Sequence, residues 1–233
     1  MDRRRFLRLL GLLAVAGGAR PLRGQGQDRD PAGTRAGVTL FLCGDVMTGR
    51  GIDQILPHPV QPRLYESYVK DARDYVALAE RAHGPVPRAV DPTYVWGEAL
   101  EVLAQVAPQA RIINLEPAVT RHNEPWPKGI NYRMHPDNID CLTAAKIDCC
   151  VLANNHVLDW GYAGLEQTLA TLAEAGIPST GAGATASAAA APAILDVGAG
   201  VRVRVFSYGL ASSGISPAWR ATAERPGVNL CPT

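Results

Sequence analysis

Short apolar runs alternate with amphipathic segments over most of the chain. Three β-rich runs each end at polar residues, which is the pattern of buried strands: 38–43, 110–115 and 148–153. Three segments of helical character end at, or are preceded by, proline or glycine: 98–106, 137–146 and 161–175. Strands that alternate with helices predict an α/β fold, built in layers around a substantially parallel sheet.

Two further segments complete this pattern. Within residues 57–93, a helical stretch carries Tyr65, Tyr68 and Tyr75 at helical spacing, which is typical of a packing face. Two β-rich runs, 193–197 and 201–207, flank Gly198-Ala199-Gly200 and predict a hairpin. Residues 209–233 show no clear element.

The N-terminus has the three parts of an export signal. Arg3, Arg4 and Arg5 precede a short apolar stretch, which is followed by small residues up to Ala19. The paired arginines are typical of a twin-arginine signal, and the stretch is too short to span a membrane. We therefore predict a signal at residues 1–19, a flexible linker at 20–37, a domain at 38–233 and no transmembrane span after signal removal. The protein is expected in the periplasm, outside the cell or in the cell envelope.

Composition excludes several classes of protein. The formal net charge is +1 and aromatic residues make up 6% of the chain, so neither a basic field nor a set of stacking rings indicates a nucleic-acid partner. The five cysteines include the adjacent pair Cys149 and Cys150 but no CxxC pair, which is a poor disulfide framework.

Polar side chains follow each of the three predicted core strands. Asp45 follows the first strand, Glu116 the second, and Asn154-Asn155-His156 the third. Ligands of α/β sheets bind beyond the carboxyl ends of parallel strands, so we expect these groups to meet in one crevice. Two carboxylates there would repel each other unless a cation or a proton lay between them. Oxygen ligands with one imidazole suit Mn²⁺, Mg²⁺, Zn²⁺ or Fe²⁺.

Three blocks of residues resemble the signature of CapA-type capsule synthesis proteins. They are Gly44-Asp45-Val46-Met47-Thr48-Gly49-Arg50, Asn114-Leu115-Glu116 and the run 153–161, Ala-Asn-Asn-His-Val-Leu-Asp-Trp-Gly. That family is associated with poly-γ-glutamate capsules and is similar to the calcineurin-like metallophosphoesterases. The resemblance implies a sandwich of two sheets flanked by helices (αββα), incomplete at its C-terminal side in this chain.

The resemblance also implies roles for individual residues. Asp45 and Glu116 would be metal-binding carboxylates, Asn155 the amide ligand of one or two divalent metals, and His156 a proton or hydrogen-bond donor beside the reacting group. Asp159 would orient the His156 imidazole. We also consider Arg50, Lys128 and Arg133 as contacts of an anionic substrate, the alternative being an ordinary solvated surface.

Two departures from the metallophosphoesterase pattern bear on function. Met47 stands where those enzymes have a histidine, and a thioether is a poor ligand of hard cations. No histidine follows His156, whereas the family has a later His-x-His block, so the chain is expected to be a truncated version or one that has lost its metal centre. We therefore expect a metal-dependent hydrolase of an anionic envelope polymer or its precursor. The alternatives are a non-catalytic accessory or binding subunit of a capsule synthesis complex, or an inactive truncated copy.

Overall fold

A computed structural model describes residues 37–232. Its central sheet contains four parallel strands in the order β1-β2-β5-β6: β1 (Leu40–Val46), β2 (Ala110–Leu115), β5 (Cys149–Val151) and β6 (Ser179–Thr180). Six shorter strands form three pairs: β3 (Ala118–Val119) with β4 (Arg133–Met134), β7 (Ala182–Gly183) with β10 (Gly227–Val228), and β8 (Ala193–Asp196) with β9 (Arg202–Val205). The predicted α/β class, with its parallel sheet, is confirmed.

Within the described residues, five α-helices connect or follow the strands: α1 (Arg73–His83), α2 (Ala99–Val106), α3 (Asp140–Ala144), α4 (Gly161–Glu174) and α5 (Ala186–Ala190). Four 3-10 turns lie at Asp53–Ile55, Pro136–Asn138, Ala211–Ser213 and Pro217–Trp219. Helix α4, of 14 residues, buries Leu165, Thr168 and Leu172 at the three-to-four-residue spacing of one helix face. It ends just before Gly176, whose φ of 70° only glycine adopts without cost.

The two faces of the central sheet are covered by different layers. Alternate residues of β2 point to opposite faces, as the period of a strand requires. Ile113 and Leu115 belong to the main core, which contains the apolar residues of α3 and α4. Ile112 lies on the other face, where the β8–β9 hairpin contributes Leu195 to a second core cluster. A helical layer, the parallel sheet and the hairpin are thus stacked.

The edge strand β1 contains a β-bulge at Gly44. Its register against β2 shifts between Cys43 and Asp45, so Gly44 is the additional residue. Phe41 and Cys43 contact the main core, and simple alternation would send Asp45 to that same side. Because of the bulge, Val46 contacts the core instead, and Asp45 lies beside Asn114 of β2.

Most of the predicted elements are present, with shifted ends. The predicted hairpin is confirmed, and residues 137–146 form a 3-10 turn followed by α3 rather than one helix. The prediction of a packing face that includes Tyr68 is wrong, because α1 begins only at Arg73 and Tyr68 is 67% exposed. Residues 209–232, for which no element was predicted, include two 3-10 turns and β10.

The remaining predictions concern the N-terminal signal and linker, membrane spans and disulfides. The export signal at residues 1–19 and the linker at 20–37, apart from Gly37, lie outside the described residues. Within residues 37–232, no helix has the length and apolar character needed to cross a membrane. All five cysteines are free thiols, in keeping with the absence of a disulfide framework.

Candidate functional site

The carboxyl ends of β1 and β2 bring two carboxylates to one amide. Asn114 donates from Nδ2 to Asp45 Oδ1 at 2.6 Å and to Glu116 Oε2 at 3.2 Å. The bulge at Gly44 makes the first contact possible by placing Asp45 opposite Asn114. Asp45 is exposed, whereas Glu116 is buried. The two carboxylates that were predicted to converge at the sheet edge therefore do so.

The end of β5 is fixed to the end of β2 by the buried side chain of Asn154. Its Nδ2 donates to Asn114 Oδ1 at 3.0 Å and to the Leu115 carbonyl at 2.8 Å. Its Oδ1 accepts from the backbone N–H groups of His156 and Val157, at 3.0 and 2.9 Å. All the polar atoms of this amide are thus used to hold the loop that carries His156.

The His156 imidazole lies between two carboxylates. Its Nδ1 is 2.6 Å from Asp159 Oδ2, and its Nε2 is 3.5 Å from Glu116 Oε1. Lys128 Nζ, which only donates, is 3.3 Å from the same nitrogen, but the shorter contact is to the Asp159 carboxylate, which only accepts. We therefore assign the hydrogen to Nδ1, which leaves Nε2 as the nitrogen that faces the sheet edge. An imidazole held in this way can exchange a proton at Nε2.

Asp159 is a fully buried acceptor of three hydrogen bonds. Besides His156, its carboxylate accepts from Lys128 Nζ at 2.7 Å and from the Tyr132 backbone N–H at 2.6 Å. Lys128 Nζ also donates to the Asn155 carbonyl at 2.6 Å. The ammonium therefore neutralises the buried charge, and the carboxylate joins two segments of the chain, 128–132 and 156–159.

The electrostatic environment of Glu116 favours its protonated form. Burial raises the pKa of this carboxyl above its usual range, and the charges of Asp45 and Asp159 raise the pKa further. His156 and the Asn114 amide act in the opposite direction without reversing the shift in pKa. A bound cation or a proton would relieve this concentration of negative charge.

Arg50 lies beside the site but has internal partners. Its Nε is 2.6 Å from Glu66 Oε1, and Glu66 is 1% exposed. Its guanidinium lies over the rings of Tyr75 and Tyr132, 4.9 and 4.5 Å from their centroids. The Tyr132 ring is in turn stacked on the His156 imidazole at 4.0 Å.

The last two predicted site residues, Asn155 and Arg133, make contacts other than those predicted. The Asn155 side chain lies beside Gly214, and only its backbone carbonyl contacts the network around Asp159. Arg133 is buried rather than solvated: its guanidinium lies 3.9 Å above the Trp160 ring and donates to Asn123 and to the His122 carbonyl. Among the eight predicted site residues, Asp45, Glu116, His156, Asp159 and Lys128 form one connected group.

The donor set fits a hard cation with few protein ligands. Asp45 and Glu116 already present oxygens to a common donor, and Mg²⁺-like ions are often held by one or two carboxylates together with water. Within residues 37–232, no three or more His, Cys, Asp and Glu side chains are grouped as a closed metal cage. The residues that would hold a cation are therefore the two carboxylates.

Sequence reasoning assigned no specific role to four residues that organise this site. Asn114 and Asn154 occur in the blocks quoted above, but nothing in the pattern distinguishes a structural amide from a ligand. Glu66 and Tyr132 are far from those blocks in sequence, and their contacts depend on tertiary structure. The only signal for Tyr132 is its place in a polar loop beside Lys128 and Arg133.

Comparison with known proteins yields one family and two relatives. The family described as bacterial capsule synthesis protein PGA_cap matches residues 39–232. Two proteins, from two strains of Mycobacterium tuberculosis, are each 52% identical over 200 residues, or 85% of this chain. Each is named a probable polyglutamine synthesis accessory protein. The match covers 53% of each relative, so the chain spans about half the length of the curated relatives it matches.

Proposed function

Since this chain belongs to the bacterial capsule synthesis protein family PGA_cap, we propose that it is an exported accessory protein of polyglutamate synthesis that hydrolyses the polymer or its precursor. Polyglutamate is the anionic envelope polymer that the sequence resemblance implies, and the names of the two relatives support an accessory role. Other subunits of a capsule synthesis complex would be its partners. The twin-arginine pattern at residues 1–19 supports export.

The position of His156 carries the hydrolytic part of this proposal. Asp159 holds Nδ1, so Nε2 is free to take a proton from an attacking water or to give one to a leaving group. Lys128 Nζ lies 2.7 Å from Asp159 Oδ1 and pairs with that carboxylate. The imidazole and the Glu116 carboxyl, whose pKa burial raises, face each other at the sheet edge where a scissile bond would lie.

A divalent cation is part of the proposal. Asp45 and Glu116 would hold it, and Asn155, whose side chain lies beside Gly214, would not. When bound, such an ion polarises a carbonyl and makes hydroxide available near neutral pH. The chain's own contribution is to keep the two carboxylates together through Asn114 and to present Nε2 of His156 beside them.

The test is hydrolysis of poly-γ-glutamate by the full chain with Mn²⁺ or Mg²⁺, measured as the fall in polymer size. We expect His156→Gln to lower the rate by about 10²-fold or more, because positioned acid–base groups contribute 10²–10⁴-fold. His122→Gln, a half-buried histidine outside the site, is the matched control and should retain the rate. Equal rates in wild type and His156→Gln would refute the role of His156. A polyglutamine peptide is the second probe, because the relatives carry that name.

One observation favours a second candidate, a binding subunit without turnover. The Asn114 amide already lies between Asp45 and Glu116, so these two carboxylates are held together without a cation. Calorimetry would distinguish the two functions. For the hydrolase, we expect a heat of Mn²⁺ binding that Asp45→Asn removes. If the chain retains the polymer without shortening it, and if no such heat is observed, the binding subunit is supported and the hydrolase is rejected.

A further inference from the structure

Three charged or aromatic groups form a stack that ends on the His156 imidazole. The Arg50 guanidinium lies 4.5 Å from the centroid of the Tyr132 ring. The Tyr132 ring lies 4.0 Å from the imidazole, with only 21° between the two planes. We call Arg50, Tyr132 and His156 the Arg50 stack. Aromatic pairs in this arrangement attract each other beyond simple burial of surface.

The far end of the stack is held rigidly. Arg50 has φ of 51°, a left-handed conformation that a residue with a side chain adopts only when its surroundings impose it. Glu66, itself buried, binds the guanidinium at 2.6 Å and accepts from the Tyr75 hydroxyl at 2.5 Å. The Arg50 guanidinium also lies 4.9 Å from the centroid of the Tyr75 ring. Arg50 therefore contacts two rings and one buried carboxylate, with an ion pair that is close but is not aligned as a hydrogen bond.

The near end of the stack is tied to the carboxylate that orients the imidazole. The Tyr132 backbone N–H donates to Asp159 Oδ2, the same oxygen that contacts His156 Nδ1. The Tyr132 carbonyl accepts from Trp160 Nε1 at 2.9 Å. The backbone and ring of Tyr132 thus have a fixed position relative to the imidazole.

A single hydrogen bond does not fix the plane of a ring. The contact from Nδ1 to Asp159 restrains one atom of His156 and leaves the imidazole free to tilt about that contact. A flat ring stacked at 4.0 Å removes this freedom. With the tilt removed, Nε2 stays directed at Glu116.

We propose that Tyr132, supported by the Arg50–Glu66 ion pair, is the positioning residue that sets the plane of the His156 imidazole. Its effect on turnover rests on the proposed hydrolytic function, whereas the restraint itself is a property of the folded chain. This role also accounts for an arginine with no solvent-directed partner beside the site. Its charge supports the Tyr132 ring instead of contacting substrate.

Nuclear magnetic resonance of the full chain at one fixed pH tests the restraint directly. A stacked tyrosine ring shifts the carbon-bound imidazole protons of His156 upfield, and His156→Gln identifies those signals. We expect Tyr132→Leu to abolish the upfield shift and Tyr132→Phe, which keeps the ring, to retain it. Tyr65→Leu is the matched control, because Tyr65 is a half-buried ring that packs edge-on against Trp160.

An unchanged His156 shift in Tyr132→Leu would overturn the proposal. If that variant does not fold, Arg50→Met tests the same stack by removing the support behind Tyr132, and we expect a reduced upfield shift. A shift equal to that of the wild type in Arg50→Met would overturn the role of Arg50.

Measured hydrolysis rates distinguish the positioning role of Tyr132 from the proposed hydrolytic function on which it rests. With a measurable hydrolysis rate, Tyr132→Leu should lower kcat by about 10²-fold, as misplacement of a catalytic group does, and Tyr132→Phe should retain it. A kcat unchanged in Tyr132→Leu would refute the positioning role even if the signals move. Wild-type chain with the upfield shift but no hydrolysis would refute the proposed function and leave the restraint confirmed.

Discussion

Replacing Asp159 by asparagine is expected to destabilise the fold substantially. The side chain is fully buried and accepts hydrogen bonds from Lys128, Tyr132 and His156 at 2.6–2.7 Å. Asparagine keeps one oxygen, which can serve Tyr132 and His156, but its amide group then faces the Lys128 ammonium. A donor meets a donor there, and the buried negative charge is lost.

The structure sets the expected magnitude. A hydrogen bond to a charged group contributes about 1.5–3 kcal/mol net, and breaking a buried ion pair costs about 3–5 kcal/mol. The Lys128 side chain is 25% exposed and can turn partly to water, which reduces the cost. We therefore expect Asp159→Asn to lower the free energy of unfolding by about 2–4 kcal/mol, a large part of the 5–15 kcal/mol that is typical of a domain.

Urea unfolding followed by tryptophan fluorescence measures this change. Asp74→Asn, at an exposed carboxylate of α1, is the control and should change stability by no more than about 0.5 kcal/mol. Lys128→Met should recover part of the loss in the Asp159→Asn background, with a coupling energy of about 1 kcal/mol or more. A loss below about 0.5 kcal/mol for Asp159→Asn would refute the assignment of Asp159 as a buried ionic centre.

Three further predictions concern other parts of the fold. Burial lowers the pKa of His135, so the free energy of unfolding should fall as the pH drops from about 6.5 towards that lowered pKa. In urea titrations, His135→Gln should lose this pH dependence, and the control His83→Gln should keep it. Gly181→Ala should lower the free energy of unfolding by more than about 1 kcal/mol, because φ is 91° and a Cβ would lie 2.5 Å from a neighbouring hydroxyl. Gly44→Ala, where a Cβ would meet open space, should lower it less, and a reversed order of the two melting temperatures would contradict this. Ala107→Gly should stabilise the chain by up to about 1 kcal/mol at the left-handed end of α2, and a lower melting temperature would contradict that.

The sequence predicts the core elements well where local pattern determines them. The bounds of β2 agree with the apolar run 110–115, because both of its faces are buried and polar residues end it. The observed α4 ends one residue before the predicted end, since its buried spacing and Gly176 are both local signals. Residues 137–146 illustrate the limit: the helical pattern is present, but Pro136 imposes a 3-10 turn first.

The site is predictable only in part, because some of its contacts depend on register and on distant segments. The convergence of Asp45 and Glu116 follows from parallel strands that end at one edge. No local pattern predicts that Asn154 is a buried structural amide while the side chain of its neighbour Asn155 lies beside Gly214. The pairing of Arg50 with Glu66 also required the fold, since the sequence suggests only an exposed cation.

The bulge at Gly44 has a consequence for how this segment can change over evolution. Residues 40–43 and 45–46 alternate with opposite phase, so the count of residues between them is as important as their identity. Loss of Leu42 would turn Phe41 away from the main core, whereas loss of Gly44 would remove the bulge and leave Asp45 and Val46 on their present sides. Insertions and deletions are therefore expected before Leu40, after the strand or at Gly44. An alignment with a gap elsewhere within residues 40–46 would join positions that are not structurally equivalent.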